Sequence, residues 1–198
     1  MRCTERTVVL VLAAALVGCS GPDTRTETEA AAEEAAAPAA SAPDAAGSLD
    51  DADIAAIVVA ANSIDVRTGE LARERASDER VRQFAETMIT DHTAVNQSAQ
   101  ELVTRLGVTP TENEVSRSLQ QSAEETRASL LSQTGAAFDR AYVAHEVSYH
   151  EAVLQALDDT LIPSAANEEL RQTLVGVRPA FQAHLDHARS LLEQLGGS

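Results

Sequence analysis

The chain has 198 residues, a formal net charge of −16 and only 3 % aromatic residues. Tryptophan and lysine are absent and no run of Arg forms a positive stripe able to neutralise phosphates, which excludes nucleic acid as a partner. Ala, Leu and Val carry most of the apolar content, a composition suited to helices packed through small aliphatic side chains rather than to a β-sandwich. The acidic excess runs along the whole chain and reads as a solvated, self-repelling surface.

At the amino terminus, Arg2 and Arg6 precede an apolar run from Val8 to Val17, the pattern of a secretory signal over residues 1–18. Ten apolar residues are too few for a permanent membrane-spanning helix, which needs about 20. The run ends in Leu16-Val17-Gly18-Cys19, which resembles a lipobox, the site at which bacteria acylate a cysteine and cleave before it. Lipidation of Cys19, with Cys3 lost in the signal, would leave no free thiol and hence no disulfide or cysteine ligand. The expected partner is therefore a membrane, reached through the acyl chains of Cys19. Residues 19–48 are rich in Ala, Glu, Thr and Pro and hold almost no large apolar side chain, so they cannot offset their ordering entropy. This segment reads as a tether reaching on the order of 30 Å. The expected location is the cell envelope: exported, membrane-anchored, and periplasmic or outer-membrane in a host with two membranes.

From Leu49 onward the apolar pattern is helical. The first segment, about 49–76, places Ile54, Val58, Ala61, Asp65, Thr68 and Ala72 at alternating spacings of four and three, with Ser48 and Asp51 as a capping pair. The second, about 78–106, repeats the spacing through Val81, Met88, His92, Val95 and Leu102 and ends at Gly107. Thr111 and Glu114 predict a capping box for a shorter helix over about 112–132. A third long helix runs from Phe138 to about Leu161, where Pro163 closes it, and a fourth spans about 165–195. No strand-like alternation competes. The expected fold over 49–196 is all-α, a four-helix bundle with short first and last connections that favour antiparallel neighbours.

The stripe departs from apolar character at Asp65, His92, His150 and His184, one on each long helix. His145 and His187 lie off the stripes and are expected at the surface or its boundary. Helix rise puts Asp65 and His92 within roughly 3 Å in height, and leaves His150 and His184 about 12 Å apart, with His184 nearer Tyr142 and Asp139 unless the loop or a kink at Pro179 shifts the register.

Three sets of residues carry a family resemblance: Phe84-Ala85 with Met88 and Asp91-His92; Phe138-Asp139 with Tyr142 and His150; and Pro179 with His184-Leu185. In this order they resemble the ferritin-like domain-of-unknown-function family 4142 of bacterial envelope proteins. The resemblance implies a ferritin-like bundle and export, and supplies no established reaction. Ferritin-like di-iron centres use Glu-x-x-His on two helices. Here Ile89, Val147 and Phe181 stand three residues before the histidines, so iron oxidation is not carried over.

Two readings of the cluster follow. In one, Asp65, His92, His150 and His184 ligate Zn, Fe or Mn, with Asp91, Asp139, Tyr142 and Glu146 orienting them. In the other, the same residues form a hydrogen-bonded polar core that fixes helix register, and the protein is a non-enzymatic structural, interaction or stress-related module. No phosphate-cradling glycine loop, nucleophile elbow or protein partner can be read from the chain.

Overall fold

The computed structural model describes residues 49–196; the signal, Cys19 and the tether lie outside the described residues. Among these, the protein is all-α, with five helices and no strand. They are α1 (Asp51–Arg75), α2 (Glu79–Leu106), α3 (Glu114–Leu131), α4 (Gly135–Ala156) and α5 (Glu168–Gly196). The first packs along α2 and α4 along α5, α2 meets α5, and the short α3 lies across α1 and α4. No helix among them is long and apolar enough to cross a membrane.

The ends of the helices are set by side chains that satisfy their free N–H groups. At the start of α1 the cap is Asp50 rather than Ser48: its carboxylate accepts from Asp53 N at 2.8 Å, and Asp53 returns the bond to Asp50 N at 3.3 Å. For α3 the box is Asn113 with Ser116, not Thr111 with Glu114. Asn113 also donates to the Asp53 carboxylate at 3.1 Å, so a contact between helices selects the cap. Asp78 caps α2, and Gly107 ends it, as expected, in the left-handed region at φ 65°. Where α1 crosses α2, Gly69 has Ala85 O only 3.1 Å from the place a Cβ would take, so the close approach requires the missing side chain.

The end of α4 differs from expectation. Pro163 does not close the helix near Leu161; a π-helical turn over Leu157–Leu161 slips the hydrogen bonds by one residue, and a last turn, Ile162–Ser164, contains the proline. α5 then begins at Glu168, with Asn167 accepting from Glu169 N and Leu170 N, while Asp51 binds the Ala166 and Asn167 amides. α5 runs through Pro179 without interruption.

Two apolar clusters fill the interior. One gathers Phe84, Phe138, Tyr142 and Leu191, and the other Leu102, Leu154, Leu174 and Phe181. Val147 packs against both. Asp65, His92, Glu146 and His150 lie on the helix stretches between the two.

Candidate metal centre

Each helix of the two long pairs contributes to one dry cluster. Asp65 comes from α1, His92 from α2, Glu146 and His150 from α4, and His184 from α5; none is more than 6 % exposed. Helical spacing explains the convergence, because Ile54, Ile57, Ile64 and Ala72 hold that side of α1 inside while Met88 and Ala99 do so for α2. The imidazole centroids of His92, His150 and His184 lie 5.3–5.5 Å apart.

The expected 12 Å separation of His150 and His184 is therefore wrong. The helix of His150 continues to Ser164 and α5 starts at Glu168, so the two histidines lie 14 and 16 residues from their shared turn. That difference is worth about 3 Å of rise. His184 consequently meets His92 and His150 rather than Tyr142 and Asp139.

Each ring has one nitrogen engaged and one free. His92 Nδ1 donates to Asn62 Oδ1 at 2.7 Å, and Asn62 is oriented by its own Nδ2, which donates to Val58 O at 2.8 Å. His150 Nδ1 donates to the Glu146 carbonyl at 3.0 Å. His184 Nε2 donates to the Asp91 carboxylate at 2.9 Å. Those bonds fix the tautomers and leave His92 Nε2, His150 Nε2 and His184 Nδ1 buried with no hydrogen-bond partner. Asp65 Oδ2 lies 3.2 Å from His92 Nε2 and 3.7 Å from His150 Nε2, without a hydrogen bond to either. One ligating atom from each of His92, His150 and His184 lies within 4.8 Å of the others, and the same holds for Asp65, Glu146 and His150.

Burial sets the charge states. It lowers His92 to about 3, helped by the neighbouring imidazoles, and lowers His150 to about 4, so both are neutral with a lone pair available. Burial raises Asp65 to about 7 and raises Glu146 well above its usual value, the Asp65 charge adding to the latter. Tyr142 is raised by burial and by the Glu146 charge beside it. Phe181 closes one side, stacked on His92 with centroids 5.0 Å apart.

Two orienting roles differ from expectation. Asp139 does not support a histidine: its carboxylate accepts from Ser77 N and Asp78 N, both at 2.9 Å, and from Ser77 Oγ, fastening the α1–α2 turn. Asp91 orients His184 across α2 and α5, not its neighbour His92. The residue that orients His92 is Asn62, whose signal in the sequence is a polar side chain three residues before Asp65 on the same helix face. Glu146 stands beside His150 as expected, its Oε2 3.5 Å from Nδ1. His145 is half-buried and His187 exposed, its ring edge-on to Phe84.

Among the described residues, nine buried side-chain atoms lack a hydrogen-bond partner; seven belong to these five residues, and the others are Tyr142 Oη and Asn96 Oδ1. An orphaned buried polar atom costs about 1–3 kcal/mol. Asp65, Glu146 and Tyr142 face one another with their protonated forms favoured, so hydrogen bonds of Glu146 with Asp65 and Tyr142 meet part of that need, while a cation on the three imidazole nitrogens and one Asp65 oxygen would meet four of these atoms at once.

The arrangement defines an all-α protein with a buried histidine–carboxylate cluster, a candidate metal centre. The chain belongs to the family of the domain of unknown function DUF4142, whose model matches residues 35–191. No curated protein and no solved structure matches it.

Proposed function

We propose that this protein is an exported, lipid-anchored envelope protein whose ferritin-like antiparallel four-helix bundle binds one divalent transition-metal ion, without enzymatic turnover. The observation that carries the metal reading is the set of three imidazole nitrogens left free by the bonds to Asn62, the Glu146 carbonyl and Asp91. His92, His150 and His184 supply those nitrogens, and Asp65 supplies a fourth, anionic ligand, a closed tetrahedral set of the kind zinc takes in structural sites. Zn–N bonds of 2.0–2.1 Å allow two ligand atoms on one ion to lie up to about 4 Å apart; the three imidazoles lie within 4.8 Å of one another and Asp65 within 4.8 Å of His150, so the ligands would have to draw in around the ion. Imidazole with carboxylate also suits Fe and Mn. The ferritin-like reading rests on two long helix pairs with a short helix between them, and the anchor on Leu16-Val17-Gly18-Cys19.

The bonds that orient the rings also favour a second reading, a polar core that fixes helix register with no ion. Elemental analysis separates the two, using the chain from Ser20 to Ser198, which keeps every described core residue. The metal reading expects about one equivalent of metal in this chain and less than a tenth of that in His92→Ala. Near-zero metal in both, after growth and purification with Zn, Fe and Mn supplied and no chelator, leaves only the polar core. Labelling with radioactive palmitate, lost in Cys19→Ser, tests the anchor.

A further inference from the structure

Beside the imidazole cluster lies a cleft of about 250 Å³, partly open to solvent and lined chiefly by α1, α3, α4 and α5, with Val95 of α2 and Leu157 and Leu161 of the π-helical turn. Its walls are mainly aliphatic; Asn62, Ser122, Thr126, His145 and Tyr149 are the polar residues among them, and no Asp, Glu or Arg lines it. The polar groups of two wall residues are already engaged: Tyr149 donates its hydroxyl to Ala61 O at 2.9 Å, and Asn62 is spent on His92 and Val58. Ligand sites are clefts lined mainly by apolar side chains with a few polar groups, and this cleft has that lining.

We propose that this cleft binds one uncharged, apolar molecule of about ten carbon atoms. The size follows from comparison: an apolar cavity of about 150 Å³ stays dry and takes benzene, so a space of 250 Å³ has room for two fused rings or a folded chain of that carbon number. The neutrality follows from the wall, because no Asp, Glu or Arg lines it and burial favours the neutral form of His145, its one titratable imidazole, so a charge here would meet no opposite charge. Val115, Leu119 and Ala123 of α3 form its roof, and access is along the open edge between α3 and α4, where Val115, Ser122 and Ala152 of the lining are exposed. The occupant would also touch Phe181 and Asn62, the two residues that stack on and orient His92. This site does not depend on the metal reading and stands if the cluster holds no ion.

The test titrates the chain from Ser20 to Ser198 with 1-naphthylamine, an uncharged fluorophore of the required size, and follows its blue-shifted emission. The expected result is saturable binding at one site, displaced by 1-decanol at a concentration at least tenfold lower than by decanoate. Ala123→Phe fills the cleft from the roof and Ala156→Phe from the α4 wall; each should weaken binding at least tenfold, while Ala128→Phe, on the exposed side of α3, leaves it unchanged. Circular dichroism checks that each variant keeps its helices, and two filling variants on different helices guard against one that does not. Absence of saturable binding to the unmodified chain overturns the proposal. So does binding by both folded filling variants within twofold of the unmodified chain, and equal displacement by decanoate contradicts the neutral ligand.

Discussion

Replacing His150 by Gln tests the metal site most directly. His150 belongs to both ligand groups, with its Nε2 3.7 Å from Asp65 Oδ2 and its Nδ1 bonded to the Glu146 carbonyl. Glutamine keeps an N–H for that carbonyl and removes the free nitrogen, so the polar core survives while the ligand is lost. A ligand that binds only the native state at 100 times its Kd stabilises it by about 2.7 kcal/mol. For a chain of this size each kcal/mol moves Tm by about 2–4 °C, so zinc should raise the Tm of the chelator-stripped protein by about 5–11 °C. Losing even a residue that supports a ligand weakens binding about 10–100-fold. Losing a ligand at the upper end of that range brings the same zinc concentration down to Kd, where the stabilisation is about 0.4 kcal/mol and the shift about 1–2 °C. The assay is differential scanning calorimetry of both proteins with and without zinc. An unmoved Tm for the unmodified protein, or an equal rise for His150→Gln, refutes the reasoning.

Asn62→Ala removes the acceptor that holds His92 Nδ1–H, and should weaken zinc binding about 10–100-fold in a chelator-competition titration while the helices persist. Asp139→Ala leaves the Ser77 and Asp78 amides without their acceptor; urea unfolding should show a loss of about 2–4 kcal/mol, with the metal stoichiometry unchanged. Gly69→Ala gains helix propensity but drives a Cβ to 3.0 Å from Ile89 Cγ1 and 3.1 Å from Ala85 O, so overpacking should prevail and cost about 1 kcal/mol, read as a lower urea midpoint. Asp78, at the head of α2, is lowered from 3.8 to about 2, first by the Arg80 side-chain hydrogen bond. Because the folded value lies below the unfolded one, its contribution is complete above pH 3.8 and fades as pH falls through 2; Asp78→Asn should flatten the acid arm of the stability profile in that window.

The helical register and its polar interruptions are legible in the order of the amino acids, because burial imposes a spacing of three and four on each long helix. Asp65, His92, His150 and His184 stand out for that reason: a polar side chain in an apolar stripe is visible from the residues either side of it. The meeting of Asp65 with His92 is legible too, since a short turn at Ala76–Asp78 leaves little freedom in how α1 lies against α2. Nothing comparable fixes the second pair. Whether Pro163 ends a helix or rides in its last turn depends on the π-helical slip over Leu157–Leu161 and on Asp51 holding the Ala166 and Asn167 amides from a distant part of the chain.

The caps and orienting residues divide along the same line. Asp78 and Gly107 act on their own helix, and their chemistry alone is enough to assign them. Asn113 displaces Thr111 because it also reaches Asp53, and Asp139 serves the α1–α2 turn rather than the histidines because three donors converge there. Asn62 and Asp91 acquire their roles through bonds spanning 30 and 93 residues. The sequence by itself determined that Asp65, His92, His150 and His184 turn inward, since that follows from local periodicity and the aversion of apolar side chains to water, though on α1 the buried face also takes in Ile57, Asn62 and Ile64 beside the expected stripe. The tertiary structure alone decided which inward-facing groups share a height and which ring nitrogen stays free, because those depend on helix ends and on hydrogen bonds between segments that no local pattern encodes.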